Sequence, residues 1–169
     1  MINMILVDDS GWGSLLGSVA IGVYDTDIEW FHSRIIPIKY FQGKLFSTGK
    51  YRDQAWSVFR KCIISLDLLQ NKDIVVCRGT CLDTIYNNLC EMGKLLHLNG
   101  LTRKEIGNPL QSLLEARFAK SLMKFGVPEG SGGAHCLSFD DQLKWVKQDK
   151  SREKYVKTGW SSWVTKYGK

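Results

Sequence analysis

Two aspartates, Asp8 and Asp9, stand side by side where the apolar run MILV meets the turn SGWG. Adjacent carboxylates repel each other, and neither is easily buried without a partner. A divalent cation would relieve the repulsion, and so would plain exposure at a strand end. Nucleophilic schemes fare worse, because His32, His97 and His135 have neither triad-like nor metal-ligand spacing. The five cysteines, Cys62, Cys77, Cys81, Cys90 and Cys136, are odd in number and contain no CxxC pair. They read as reduced, mostly buried thiols, with a Cys77/Cys81 pair as the minor alternative.

The elements that must position the two acids follow from periodicity. Residues 4–9 read as a short buried strand, 15–24 as a second and 29–38 as a third, with the acidic turn YDTD between the last two. Tyr51, Ala55, Val58, Phe59, Cys62, Ile63, Leu66 and Leu69 recur at three and four, which predicts a helix from Gly49 to about Gln70. DIVVCR at 73–78 is a fourth strand, 82–93 a second helix stopped by Gly93, and KLLHLN at 94–99 a short fifth strand. A third helix opens at Asn108-Pro109 and runs to Gly126, and Ser138 caps a last helix from Phe139, with Asp141 in a capping-box position. Beyond Tyr155 an extended tail anchored by tryptophans is expected. Three antiparallel strands followed by alternating helices and strands give a mixed α/β sheet flanked by helices, with a C-terminal helical extension.

Bulk composition narrows the class. A chain of 169 residues with 44% hydrophobic and 24% charged residues suits one soluble globular domain. No apolar stretch approaches the ~20 residues a membrane helix needs. The opening MINMILVDDS carries no basic leader, so a cytoplasmic protein without membrane attachment is expected. The net charge of +6 is uneven: residues 140–169 hold eight bases against four acids. Trp145, Tyr155, Trp160, Trp163 and Tyr167 are interleaved with those bases. Bases attract phosphates and rings stack on nucleobases, which suits nucleic acid. A solvated helix face whose rings pack on the body explains the same pattern.

In order and motif the chain resembles type 2 ribonuclease H, within the ribonuclease H-like fold. Family members open on a strand ending D-E-A-G-R-G before a small-residue strand. Here the sequence runs Asp8-Asp9-Ser10-Gly11-Trp12-Gly13, then LLGSVAIGVY. The family's K-D-S-K stretch is similar to IPIKYFQGKLFSTGK, with Lys39 as the candidate equivalent. Its G-S-G-Y, tryptophan helix and basic stretch resemble GSGGAHCLSFDDQLKWVKQDKSREKYVKTGWSSW at 130–163. The resemblance implies a ribonuclease H-like domain over 1–137, with 138–169 as a C-terminal helix and basic aromatic tail packed on it as one unit.

It also implies a site. Such enzymes hold two divalent ions, Mg2+ or Mn2+, among four carboxylates and hydrolyse a phosphodiester. Asp8 and Asp9 match the first two acids. The third falls on Cys77, a poor magnesium ligand, and the fourth on Asn99, which is neutral. Asp83, Glu115 and Asp141 are candidate replacements, each also readable as an ordinary surface or capping acid. The family's junction-gripping turn becomes Gly11-Trp12-Gly13, where Trp12 stacks on a base or plugs the core edge. Its 2′-hydroxyl-testing tyrosine falls at Gly133, near His135. Lys147, Lys150, Lys154 and Trp160 complete the implied nucleic-acid-binding residues.

Three functions follow as expectations. The first is a metal-dependent nuclease acting on RNA/DNA hybrid or a related nucleic acid. The second is a degenerate relative that binds nucleic acid or a protein partner without cutting. The third is a structure-selective, junction resolvase-like DNA nuclease with a rearranged carboxylate set.

Overall fold

The apolar, β-branched runs near the N-terminus pair into a sheet, and the amphipathic segments cover both of its faces. The computed structural model describes residues 3–63, 65–130, 136–161 and 163–167. Five strands, β1 (Met4–Ser10), β2 (Val19–Asp25), β3 (Trp30–Ile36), β4 (Asp73–Val76) and β5 (Gly100–Arg103), lie in the order β3-β2-β1-β4-β5. The β1–β2 and β2–β3 pairs are antiparallel, and β4 and β5 run parallel to β1. Parallel neighbours need crossovers. The long ones here are α1 (Gly43–Ser47) with α2 (Lys50–Cys62) before β4, and α3 (Asp83–Met92) before β5. After β5 come α4 (Leu110–Met123) and α5 (Phe139–Lys147). The chain is therefore a mixed α/β protein with a five-stranded mixed sheet flanked by helices.

Strand alternation divides the interior in two. Ile5, Val7, Ile21 and Val23 join Ala55, Phe59, Ile85 and Leu89 in a core beneath α2 and α3. Leu6, Ala20 and Tyr24 face the other way, against Leu110, Leu114, Phe118 and Leu122 of α4 and Trp145 of α5. Close approach of α4 to the sheet depends on Gly22, where a Cβ would lie 2.7 Å from the Leu114 side chain. No helix among the described residues is long and apolar enough to cross a membrane.

Several boundaries differ from expectation. Strand β2 begins at Val19, because Gly17 at φ 76° turns the chain and Leu16 instead bridges Val156. Helix α2 ends at Cys62, where Ile63 turns extended, and Ser65 caps a separate 3-10 turn at Leu66–Leu69 by accepting from the Asp67 amide. Residues 94–99 form no strand: the amides of Leu96 and Leu98 donate back to the carbonyls of Met92 and Gly93, and His97 sits at φ 50°. The fifth strand comes later, at Gly100–Arg103. The C-terminal stretch is not simply extended, since Trp163–Tyr167 coils into a helical turn that buries Trp163.

Candidate active site

Strand β1 delivers both aspartates to the C-terminal end of the sheet, but its pleat separates them. Asp8 shares the α4 face with Leu6, and Asp9 shares the α2–α3 face with Val7. The Asp9 amide donates to Asp8 Oδ1 at 2.8 Å. Asp8 is buried and Asp9 half-buried. Burial raises the Asp8 carboxyl above its ordinary range, against the hydrogen bonds of the Cys77 thiol and the Asp9 amide, and Glu105 adds to the rise. Burial first and Asp8 second push Asp9 up to about 7, opposed by Lys157.

A cavity of about 290 Å³ opens at this end, with Asp8, Asp9, Cys77, Glu105, Gln111 and Glu115 among its walls. Cys77 follows β4 directly and its amide donates to the Val7 carbonyl. Its thiol lies 3.8 Å from Glu105 Oε2 and also hydrogen-bonds Asp8. Burial, and then that bond to Asp8, push the thiol up to about 12, so it stays protonated and donates. Glu105 is exposed, two residues past β5. Glu115 is half-buried on α4, one residue after Leu114, and accepts from Gln111 Nε2 at 3.2 Å one turn earlier. Asp9 Oδ1 packs so close to Gly79 that a Cβ there would stand 2.7 Å away.

The turn after β1 is braced from the far end of the chain. Gly11, at φ 94°, lies against Phe118, where any Cβ would clash. Lys157 is fully buried, and its Nζ donates to the carbonyls of Gly11 (2.6 Å), Ser14 (2.7 Å) and Leu16 (3.2 Å). Burial pushes this ammonium down to about 7, with Asp9 the largest opposing influence. Gln142 of α5 accepts from Ser14 Oγ and the Leu16 amide, and donates to the Leu137 carbonyl.

The sequence-predicted residues divide sharply. Asp8, Asp9, Trp12, Cys77 and Glu115 meet at the cavity. Asn99 is a correction: it precedes β5, and its side chain donates to the Asn71 carbonyl at the opposite end of the sheet. The acid that follows the fifth strand is Glu105. Asp83 is another correction, since it forms an ion pair with Arg103 of β5 rather than facing the cavity. Asp141 is a capping acid at the surface, also away from the cavity. Its carboxylate accepts from the Ser138 hydroxyl and pairs with Lys144, while its amide donates to Ser138 Oγ. The Ser138 bond first, then Lys144, lower its carboxyl below the ordinary range.

Trp12 packs its ring against Tyr51 at 5.3 Å, Phe41 and Phe46, so it plugs an aromatic cluster at the cavity edge. Gly13 has open space around it. Lys39 is exposed beside the Tyr40 ring, and Lys147, Lys150 and Lys154 are exposed on α5 and the turn after it. Trp160 is half-buried near the Lys157 ammonium. The tail rings pack inward: Trp145 and Trp163 are buried, and Tyr155 stacks on Phe125 at 4.6 Å. Gly133 and His135 lie outside the described residues.

Glu105, Gln111, Gln142 and Lys157 belong to the site without standing out in the sequence. The signal for Lys157 is its setting, VKTGW, apolar and glycine-containing within an otherwise charged tail. The described cysteines are free thiols, with Cys62, Cys77 and Cys81 buried and Cys90 exposed. Four carboxylates around one cavity are hard oxygen donors of the kind Mg2+ and Mn2+ accept. Among the described residues no group of three or more His, Cys, Asp or Glu side chains is placed to hold a metal ion. In comparisons with known proteins, the chain matches no family model and no curated protein.

Proposed function

We propose that the chain is a divergent ribonuclease H-like nuclease that hydrolyses phosphodiesters in an RNA/DNA hybrid or a related nucleic acid with Mg2+ or Mn2+. The observation that carries this reading is the meeting of Asp8, Asp9, Glu105 and Glu115 around one cavity at the end of β1. Three antiparallel strands joined to two parallel ones through helices agree with the resemblance drawn from the sequence.

Asp8, Asp9, Glu105 and Glu115 would hold the cations. When bound, these ions supply charge stabilisation at the phosphate and a more acidic water. The chain's own residues do the positioning. Gln111 orients Glu115, the Cys77 thiol restrains Asp8 and Glu105, and Gly79 leaves room for Asp9. Lys157 and Gln142 fix the glycine turn that borders the cavity.

The non-cleaving alternative draws support from Cys77, a protonated thiol where the resemblance calls for an acid. Incubation of 5′-labelled RNA/DNA hybrid, a chimeric DNA–RNA–DNA duplex and a four-way DNA junction with magnesium or manganese separates the readings. Cleavage is expected on hybrid or chimera, abolished by Asp8→Asn and lowered at least tenfold by Glu105→Gln. Cutting of the junction alone favours the resolvase-like reading. Binding without cutting of any substrate sinks the nuclease reading.

A further inference from the structure

The sheet edge away from β5 carries a second charged feature. Among the described residues strand β3 pairs only with β2, so one side of its backbone has no strand partner. Alternation sends His32 and Arg34 toward α2, and Ser33 toward the α4 side. A cavity of about 470 Å³ wraps this edge, lined by Arg34, Lys61 and Arg117 together with His32, Ser33 and Gln54. Among the described residues no carboxylate lines it.

The cations converge from three elements: Arg34 from β3, Lys61 from α2 and Arg117 from α4. Among the described residues none of the three forms an ion pair. Arg34 is nevertheless held in place, because its Nε donates to the Lys61 carbonyl at 3.1 Å. That bond occupies one edge of the guanidinium and leaves its terminal nitrogens to donate elsewhere. Like charges gathered without an acid repel each other, and an anion between them removes the repulsion. Guanidinium groups match the oxygens of a phosphate in a fork geometry, and Ser33 and Gln54 add neutral donors.

The position of the groove favours a chain of phosphates over a single anion. Asp9, Ile21 and Arg34 form one cross-strand row. At the usual strand spacing of ~4.8 Å, Arg34 is displaced from Asp9 by roughly 10 Å across the sheet. That displacement exceeds the spacing of successive phosphates along a strand, so the two places would meet different phosphates of one backbone. We propose that the basic groove between α2 and α4 on the β3 edge binds the phosphodiester backbone of nucleic acid, anchoring it at a distance from the carboxylate cavity. The inference rests on the nucleic-acid reading given above, but not on cleavage.

The test is the salt dependence of binding by the full chain, in chelator, to a labelled RNA/DNA hybrid. The triple variant Arg34→Gln, Lys61→Gln, Arg117→Gln is compared with a control of equal charge change at exposed sites, Lys50→Gln, Lys94→Gln, Lys124→Gln. The groove variant is expected to bind at least tenfold more weakly near 0.1 M salt. Its log–log salt slope should drop by about 2–3, close to one for each phosphate no longer neutralised. The control should stay within about twofold of wild type. An unchanged slope, or an equal weakening in the control, overturns the groove. If the wild type cuts nothing while the groove variant binds poorly, the nuclease reading fails and the groove stands. If cutting is intact and the slope unchanged, the groove fails and the nuclease reading stands.

Discussion

A thiol between two acids is an unusual neighbour for a cavity proposed to take cations. Cys77 lies beside Asp8 and Glu105, and burial keeps it protonated, so it supplies a neutral donor where another carboxylate would add a third repelling charge. The carboxylates are therefore tolerated together without metal, although the cavity forgoes a hard ligand. Replacing the thiol by an acid should reverse both effects. Cys77→Asp is expected to lose about 1–3 kcal/mol of stability in chelator, through repulsion with Asp8 and Glu105. Saturating manganese should then raise its melting temperature more than it raises that of the wild type. Thermal denaturation of both proteins with and without manganese measures this. An equal metal shift in the two would place position 77 beyond the reach of a bound cation.

At the level of elements, the site depends on how closely α4 sits on the sheet. Gly22 faces Asp8 across the β1–β2 ladder, and Leu114 fills the space above it, immediately before Glu115. Gly22→Ala must therefore push the Leu114 side chain aside, at a cost of about 1–3 kcal/mol by urea denaturation, and should lower the proposed cleavage by disturbing the turn of α4 that carries Glu115. Adding Leu114→Ala makes room for the new methyl group, so the pair should interact favourably in a double-mutant cycle. Strictly additive effects would mean that the two side chains do not compete. The same packing explains what is legible in the sequence and what is not. MILVDD announces its strand through an unbroken apolar run, and α4 does so through Leu110, Leu114, Phe118 and Leu122 at helical spacing. The fifth strand is four residues long and starts at a glycine, whereas KLLHLN next to it is more apolar. Apolar content alone thus points to a strand one segment too early, and to Asn99 instead of Glu105 as the group beyond it. Asp83 reads as a candidate ligand because local sequence cannot show that Arg103 engages it, whereas the capping role of Asp141 beside Ser138 is legible in their spacing.

Across the whole molecule, the segment from Ser138 onward behaves as a brace. Gln142 and Lys157 bond the turn after β1, Val156 bridges Leu16, and the Lys157 amide donates to the Leu15 carbonyl. Charge patterning makes Lys157 one of eight tail bases, since no count of charges reveals which one is buried. Lys157→Met retains much of the side-chain volume but removes the ammonium hydrogen bonds to three carbonyls. It should destabilise the chain by about 3 kcal/mol in urea denaturation and reduce the proposed cleavage further than that destabilisation alone would. Full activity in a folded Lys157→Met protein would show that the turn holds its shape without the ammonium.

The long sequence interval between Gly11 and Lys157 also bears on biosynthesis. Translation delivers all five strands well before the lysine that pins the first loop. A nascent polypeptide can consequently assemble its sheet while the loop bordering the acidic cavity is still unsecured. Completion of that cavity is then a late event, reached only when the closing segment returns to the beginning of the chain.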